Sequence, residues 1–533
     1  MTTLNGSNNS STGEFNGCSS LVSVTFPSSL TTLNGHAFYG CTSLESATGG
    51  NITYFGYGCF RECSALFDID LSHAVSIYGY AFYYTALTGK ELNMPNLTYL
   101  AGLSFTGTSI TKVVNLGSIT TLPDHTYGVG PFGYCTSLTQ VVLPSTCGTI
   151  NRYSFLGCTA LTTVTNNSSS FTVVDYAFDG CTSLASINLN NATTIGSYSF
   201  RSTALTSATL SSVTSINRAA FAGVPLQTVT FGSSALSVGR EAFYNCTSLE
   251  SVTFGGTTTI DINAFQNCTS LEECTGGTIT SFGNYSFKDC SSLVDIDISN
   301  AVTIGNEAFR GASLSGMTLS IPNLTSIGSN AFMGTAISSI TSLGSITSIP
   351  GGNSSNGTGV FSGCTSLVSA VLPNTLTSIG GVAFRDCTSL TSVNIPVSVT
   401  SIGGQAFRLC PLPGTLTITQ SITLDTATFL GNNYTKITFG GNVAGLSGSL
   451  NGWMASLYGP NLLEIEFSEN QTSEIGAYIV NSPSGYSACP LTTITVKATT
   501  PPPLNAYIFS GMSSLAHIYV PASAVDTYKA ASV

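Results

Sequence analysis

One phenylalanine recurs along most of the chain at a nearly constant interval. Most intervals are 21 to 23 residues, and two are longer, with 27 residues before Phe132 and 29 before Phe361. A fixed period of roughly 20–29 residues is typical of a solenoid, in which each repeat forms one coil and neighbouring coils stack. The recurring residues are Phe15, Phe38, Phe60, Phe82, Phe105, Phe132, Phe155, Phe178, Phe200, Phe221, Phe243, Phe265, Phe287, Phe309, Phe332, Phe361, Phe384, Phe407 and Phe429.

A small residue, usually cysteine, stands three positions after this phenylalanine. Other coils have threonine, valine or alanine there, as at Thr203, Val224 and Ala312. A position that accepts valine needs a small buried side chain, so we expect a column of free thiols rather than disulfides or a metal set. The cysteines at this position are Cys18, Cys41, Cys63, Cys135, Cys158, Cys181, Cys246, Cys268, Cys290, Cys364, Cys387 and Cys410.

A short segment with alternating apolar residues follows in each coil. In Ser23–Phe26 the alternation predicts a strand with Val24 and Phe26 facing inward and Ser23 and Thr25 facing outward. One coil cannot bury its own apolar face, but stacked coils can. The sequence therefore predicts a repeat solenoid, mainly β with irregular turns between strands. Three less regular coils near Trp453, Ile479 and Phe509 bring the total to about 22 coils of 21–29 residues.

A longer repeat is superimposed on the coils. Residues 48–123 align without a gap with residues 275–350, at an offset of 227, with 37 identities in 76 positions. We interpret this as the duplication of a ten-coil block, with 15–242 repeated as 243–429 and onward. Each copy ends in one of the two longer intervals.

Composition excludes several classes of protein. Only 14 of 533 residues are Lys or Arg and the net charge is −11, so the basic surface that a nucleic-acid partner requires is missing. No apolar run approaches the length of a membrane-spanning helix, so we expect no membrane insertion. Residues 1–6 have neither a basic region nor an apolar region, so no signal peptide is visible in this chain.

The two longer intervals provide the first candidate binding residues. Residues 123–130 and 350–359 are rich in Gly, Asn and Ser, which favours loops, and binding residues are often found on loops held by a rigid scaffold. A tolerated insertion without function is the alternative. The candidate residues are Asp124, His125, Tyr127, Asn353, Ser354, Asn356 and Thr358.

Two pairs of carboxylates are the second candidate. Asp68 with Asp70, and Asp295 with Asp297, are expected on the outward face of a strand, roughly 7 Å apart within each pair. A solvated strand face and a weak cation or ligand contact are both consistent with this pattern. The four histidines are scattered, and no catalytic set, cofactor site or metal site is predicted.

The repeat unit resembles the bacterial leucine-rich repeat of the BspA-like surface proteins. Residues 377–401, from Thr377 to Ser401, with Ile-Gly-Gly-Val-Ala-Phe-Arg-Asp-Cys-Thr-Ser-Leu at their centre, are close to the family consensus. The resemblance implies a leucine-rich-repeat right-handed superhelix without catalytic residues, and roles in adhesion and recognition outside the cell. On this basis we expect regular leucine-rich repeats over 1–429, divergent repeats over 430–508, and a terminal repeat or cap over 509–533.

Two functions remain open from the sequence. The first is a non-enzymatic extracellular recognition or adhesion protein that presents a long rigid surface to a protein or glycan on another surface. The second is a structural component of a virion or surface layer, which self-assembles or packs against other protein chains. Both place the chain outside the cell, at a cell surface or on a virion.

Overall fold

The predicted solenoid is confirmed. The computed structural model describes residues 3–4, 13–124, 128–353, 355–446, 457–476, 479–480, 488–504, 508–509 and 512–531. The chain is a parallel β-solenoid of about 21 turns with almost no helix. It divides into two compact units, Met1–Thr278 and Ile279–Val533. The domain boundaries expected at 429 and 508 stay predictions.

Most coils contribute two short strands, which pair in parallel with their counterparts in neighbouring coils, and among the described residues the last coils contribute one. We call the first series of strands ladder A and the second series ladder B. In the first unit, ladder A contains Ser23–Phe26, Ser46–Gly49, Asp68–Ile69, Glu91–Asn93, Lys112–Asn115, Gln140–Leu143, Thr163–Asn166, Ser186–Ile187, Ser207–Leu210, Thr228–Phe231, Ser251–Thr253 and Glu273–Thr275. Ladder B contains Thr3–Leu4, Thr32–Leu33, Tyr54–Phe55, Ser76–Ile77, Tyr99–Leu100, Thr121–Leu122, Thr149–Ile150, Phe171–Val173, Ala192–Ile195, Ser215–Ile216, Leu236–Val238 and Thr257–Ile260.

The second unit repeats this arrangement. Its ladder A contains Asp295–Ile296, Thr318–Ser320, Ser339–Ser342, Ser369–Ala370, Ser392–Val393, Pro413–Ile418, Asn433–Phe439, Glu464–Phe467, Thr493–Val496 and His517–Tyr519. Its ladder B contains Thr303–Ile304, Ser326–Ile327, Ser348–Ile349, Ser378–Ile379, Ser401–Ile402, Ile422–Leu424 and Val443–Ala444, and the strand Thr278–Phe282 spans the boundary between the units.

Side-chain alternation determines which face of ladder A is buried. Ala208 pairs with Val229, and Val229 with Val252, and all three side chains are buried. The residues on either side of each of them face outward, because successive side chains of a strand point to opposite faces. The same register that aligns apolar groups in the core therefore aligns polar groups on the surface.

The recurring phenylalanines form a stacked column inside each unit. From Phe15 to Phe265 the ring centroids of successive coils are 5.0 to 5.7 Å apart, and from Phe287 to Phe429 they are 5.1 to 5.7 Å apart. Aromatic rings attract one another at these separations, and each buried ring also removes a large apolar area from water. The rings also stay 5.7 Å apart across the two longer intervals, so the extra residues of those coils do not interrupt the column.

The backbone around each phenylalanine is a run of tight turns. In the coil of Phe178, the residues two positions before and after it, Tyr176 and Gly180, have φ values of 58° and 76°. This left-handed conformation reverses the chain within a few residues. The Phe178 N–H donates to the carbonyl of Ser199 in the next coil at 2.8 Å, so the turns are also hydrogen-bonded from coil to coil.

The cysteine position lies next to the phenylalanine column. All cysteines there are buried except Cys18, and none of the 16 cysteines, all of which lie among the described residues, forms a disulfide. The Cys181 thiol donates to the carbonyl of Phe155 in the preceding coil at 3.1 Å. In the following coil, the Thr203 hydroxyl instead donates to the carbonyl of its own Phe200 at 2.7 Å.

Helical structure is confined to the last described residues. A 3-10 helix, Ala522–Ala524, leads into the α-helix Val525–Ala530. The Tyr528 hydroxyl donates to the carbonyl of Ala498 at 2.9 Å and fastens this helix to the coil before it. In the described part of the chain, no helix has the length and apolar character needed to cross a membrane.

Candidate functional site

The predicted carboxylate pairs occupy corresponding places in the two units. Asp68 and Asp295 begin short ladder A strands and are exposed. Asp70 and Asp297 follow those strands, and one oxygen of each accepts a backbone N–H two residues later, at 2.9 and 2.8 Å. The hydrogen bond from the Ser72 N–H lowers the pKa of Asp70. In each pair, the second carboxylate therefore stabilises a turn.

The two predicted loops, residues 123–130 and 350–359, differ in how many of their residues the structure describes. We call 350–359 the second insertion. Asp124 is exposed, and His125 and Tyr127 lie outside the described residues. In the second insertion, the Thr358 N–H donates to the Asn353 carbonyl at 3.1 Å, and the Asn353 N–H donates to the Thr358 hydroxyl at 3.1 Å. These bonds close a loop on which Asn356 is exposed, while Ser354 lies outside the described residues.

The outward face of ladder A carries an array of hydroxyl groups in the first unit. Ser207, Thr228 and Ser251 pair in register, and so do the residues two positions later, Thr209, Thr230 and Thr253. Five of the six are exposed and Ser251 is half-buried. Neighbouring hydroxyls are about 4.8 Å apart across strands and about 7 Å apart along them. Among the described residues, no hydrogen bond engages these six hydroxyls.

Other polar groups next to the ladder A strands are already engaged within the solenoid. The Asn394 side chain accepts from the Leu372 N–H at 2.7 Å and donates to the Leu372 carbonyl at 3.1 Å. The Thr139 and Thr162 hydroxyls each donate to a carbonyl of the preceding coil at 3.0 Å. Such side chains hold coils together and have less capacity to bind a ligand than the array at 207–253.

A row of tyrosine rings lies along ladder B of the first unit. Tyr54 and Tyr99 occupy the outward position of two strands, separated by the strand of Ser76. The ring of Tyr78, just after that strand, lies 4.8 Å from the ring of Tyr54 and 4.9 Å from the ring of Tyr99. Partial burial raises the pKa of Tyr54, so its phenol is neutral near pH 7.

The tyrosine row leads into an open groove of about 430 Å³. Ladder B is divided at this place, because the strands Tyr99–Leu100 and Thr121–Leu122 belong to different sheets. Tyr78 and Tyr99 line the groove with Tyr57, Thr98, Thr120, Thr121 and Asp124. Asp124 is thus the one residue of the predicted loop sites that the described structure brings together with aromatic side chains.

Sequence reasoning did not single out this groove. The tyrosines do not recur from coil to coil as the phenylalanines do, so the repeat pattern does not indicate the groove. The two copies of the duplicated block differ at the tyrosine positions, and this difference is what could have indicated the groove. At the offset of 227, Tyr54, Tyr78 and Tyr99 correspond to Ser281, Gly305 and Ser326.

A second cavity, in the second unit, is almost entirely apolar. It has a volume of about 490 Å³ and is lined by residues such as Phe467, Ile494, Val496, Val525 and Tyr528. It lies between the last ladder A strands and the terminal helix. Across the described residues, no group of three or more His, Cys, Asp or Glu side chains is arranged to hold a metal ion.

Comparison with solved structures finds bacterial leucine-rich repeat proteins. A leucine-rich repeat protein from Bacteroides ovatus is 20% identical, over 79% of this chain and 85% of that chain, with a TM-score of 0.39. A leucine-rich cell surface protein from Faecalibacterium prausnitzii is 18% identical, over 70% and 79%, with a TM-score of 0.22. The pneumococcal vaccine antigen PcpA is 16% identical, over 62% and 85%, with a TM-score of 0.31.

Comparison with sequence families gives the clearest result. No curated protein matches the chain. The family described as a BspA type leucine-rich repeat region of six copies matches residues 9–130, 128–250, 237–356 and 354–478. These matches cover most of the chain and confirm the resemblance found in the repeat unit. The protein therefore belongs to the BspA type leucine-rich repeat family.

Proposed function

We propose that the protein is a non-enzymatic recognition or adhesion protein that presents a long rigid leucine-rich repeat surface to a protein or glycan outside the cell. Leucine-rich repeat proteins generally act as scaffolds for protein interactions, and those of the BspA type are bacterial surface proteins. The observation that carries the proposal is the array of six outward hydroxyls on three paired strands, from Ser207 to Thr253.

The array suits recognition because its geometry is fixed before a partner arrives. Backbone pairing and the buried side chains beneath it hold each hydroxyl in place, so little conformational entropy is lost on binding. A single hydroxyl contributes a weak hydrogen bond in water. Several hydroxyls that engage one partner together give useful affinity, provided that their spacing matches the partner.

Two matched double variants test this proposal. Thr230→Lys with Thr253→Lys places two charges on ladder A, and Ser237→Lys with Thr259→Lys places two charges on ladder B, at positions that are also exposed and paired. Binding is measured against purified extracellular proteins and immobilised neutral glycans. We expect the ladder A variant to weaken partner binding by about tenfold or more. Equal binding by both variants, with unchanged circular dichroism, would refute a role for the array.

The alternative, a structural component of a virion or surface layer, has one observation in its favour. The last ladder A strand, His517–Tyr519, pairs with Thr493–Val496, and Ile518 and Tyr519 are 49% and 55% exposed. An exposed apolar edge strand is a template for pairing with another chain. Sedimentation velocity of the whole chain and of Ile518→Lys distinguishes the two functions. Concentration-dependent assembly that the substitution abolishes favours the structural function, and a monomer in both samples favours recognition.

A further inference from the structure

The groove between Tyr99 and Thr121 combines two kinds of chemistry. The rings of Tyr78 and Tyr99 provide flat apolar surfaces, and Tyr99 is 46% exposed. Thr120 and Thr121 provide hydroxyls, the Thr98 hydroxyl donates to the Val75 carbonyl at 3.2 Å and offers its oxygen as an acceptor, and Asp124 provides a carboxylate at the rim. Small-molecule sites commonly have volumes of 300–1,000 Å³ and pair apolar walls with a few placed polar groups. The groove, at about 430 Å³, falls within this range.

The internal duplication indicates that these tyrosines are not required by the fold. At the offset of 227, Tyr54, Tyr78, Tyr99 and Asp124 correspond to Ser281, Gly305, Ser326 and Gly351. The second copy nevertheless forms the same strands, Thr303–Ile304 and Ser326–Ile327, in the same register. Ladder B is also divided after Ser326–Ile327, as it is after Tyr99–Leu100. A coil of this kind therefore folds without the aromatic row, which leaves the row available for a surface function.

The position of Tyr78 supports this conclusion. Some coils have glycine directly after the ladder B strand, as at Gly305, where an added Cβ would lie 2.5 Å from the backbone nitrogen of Asn284, and others have small or polar residues such as Asn151 and Asp261. The coil of Tyr78 instead accommodates a large ring that bridges its two neighbours. Among the described ladder B strands, Tyr78 is the one aromatic residue at this position, and it lines a groove, which favours a binding role over a packing role.

The chemistry selects among ligand classes. The C–H faces of a pyranose ring pack against aromatic rings, and its hydroxyls donate to carboxylates and threonine oxygens. A proline-rich peptide also packs on aromatic grooves, but its backbone offers mainly acceptors, and the Asp124 carboxylate is an acceptor as well. The net charge of −11 and Asp124 disfavour phosphorylated, sulfated and sialylated ligands.

We propose that the groove of Tyr78, Tyr99 and Asp124 is a binding site for a neutral carbohydrate, with a pyranose ring stacked on the tyrosines and a hydroxyl donated to Asp124. This inference rests on the proposed recognition function and names the ligand class for one site. It concerns ladder B, whereas the hydroxyl array belongs to ladder A. The two proposals can therefore fail separately.

Saturation-transfer NMR on the whole chain tests the site with defined probes. Cellotriose and chitotriose are the neutral sugars, 3′-sialyllactose is the anionic sugar, and a proline-rich peptide represents the other ligand class. We expect saturation transfer to a neutral sugar and none to the others. Transfer only to the peptide or to the sialylated sugar would overturn the proposal, and so would the absence of transfer to both neutral sugars.

Variants that carry the residues of the second copy at the groove positions show where the sugar binds. Tyr78→Gly combined with Tyr99→Ser installs the residues found at Gly305 and Ser326, and we expect it to lower affinity for the neutral sugar by about tenfold or more. Tyr84→Gly is the control, because Tyr84 is 50% exposed, corresponds to Gly311 and does not line the groove. If the double variant fails to fold, Asp124→Asn on the exposed rim provides the test, with an expected loss of a few fold. Unchanged affinity in the folded variants would refute the site.

The ladder A variant separates a failure of the carbohydrate proposal from a failure of the proposed recognition function. Thr230→Lys with Thr253→Lys is expected to keep sugar binding while it weakens binding of a protein partner. Sugar binding that is lost in this variant, with the fold intact, would contradict a separate groove site. Absence of sugar binding together with intact binding of a protein partner would refute the carbohydrate proposal and would not contradict the recognition function.

Discussion

At the scale of single residues, the side chain three positions after each phenylalanine determines how coils share hydrogen bonds. A cysteine thiol reaches the phenylalanine carbonyl of the preceding coil, as from Cys387 to Phe361 at 3.1 Å. A threonine hydroxyl bonds within its own turn, as from Thr335 to Phe332 at 2.9 Å. The longer C–S bond allows the thiol to link two coils. We infer that cysteine is used where a small buried side chain must also connect neighbours.

Burial keeps reagents away from these thiols, which gives a residue-level prediction. Burial raises the pKa of Cys135 to about 11 and of Cys246 to about 12, and alkylation requires the thiolate. We expect iodoacetamide at pH 8 to label only Cys18 in the native chain, because Cys18 alone is exposed. In urea, all 16 cysteines should react. Peptide mass spectrometry measures both, and rapid native labelling of any buried cysteine of the column would contradict the prediction.

At the scale of the coil, close backbone contact requires glycine directly after some of the ladder B strands. Gly196 follows Ala192–Ile195, and a Cβ there would lie 2.4 Å from the carbonyl carbon of Val174 in the preceding coil. Gly148 precedes the strand of the coil at 149–150, and its added Cβ would come no nearer than 3.9 Å to Ser170. Contact between coils therefore requires glycine at position 196, whereas position 148 has room for a side chain.

Alanine substitutions at these two glycines test the contact. Gly196→Ala is expected to lower the unfolding free energy by about 1–3 kcal/mol, because one coil must move away from its neighbour. Gly148→Ala should change it little, or raise it by about 0.4–1 kcal/mol through a less flexible unfolded chain. Urea unfolding followed by circular dichroism gives the comparison. Similar destabilisation by both substitutions would mean that backbone freedom, and not coil contact, is the cause.

The coils could be predicted from the sequence because their cause is repeated. The regular spacing of phenylalanine indicates ring stacking that occurs once in every coil. The alternation of polar and apolar residues, as in Ser207–Leu210, indicates a strand with one buried face. The hydrogen-bond partners of polar side chains do not repeat from coil to coil in this way. Alternation predicted Asp70 on the outward face, but the hydrogen bond that its carboxylate accepts from the Ser72 N–H depends on turn geometry, which alternation does not report. The tyrosine groove depends on rings from three coils, and no single repeat contains it.

At the scale of the whole molecule, acidic groups dominate and several are stabilised as carboxylates. Partial burial raises the pKa of Glu307, but hydrogen bonds from Lys288 and Arg310, both at 2.9 Å, outweigh it and lower the pKa overall. The hydrogen bond from Lys497 lowers the pKa of Glu466, against the effect of partial burial. A carboxyl group whose pKa is lower in the folded chain binds protons more tightly when the chain unfolds.

Acid should therefore destabilise the protein. The contribution of these carboxylates is present in full above their unfolded pKa, near 4.3, and is lost as pH falls through the lower folded value. We expect the urea midpoint to fall between pH 6 and pH 3, and Glu307→Gln to reduce that fall by removing about 1 kcal/mol of the pH-dependent part. The same measurement on Glu469→Gln, for which no such pair exists among the described residues, is the control. An identical pH profile for wild type and Glu307→Gln would contradict the assignment.

The left-handed residue two positions before most of the phenylalanines has a consequence for the evolution of such chains. That position holds Tyr80, Tyr176, Glu241, Asn263 and Gln405 in different coils, all with φ between 56° and 60°. The backbone conformation stays the same while the side chain varies from ring to acid to amide. Mutation can thus alter the outer chemistry of one coil without disturbing the phenylalanine column. Duplicated blocks of this protein are free to acquire separate ligands while their interiors remain interchangeable.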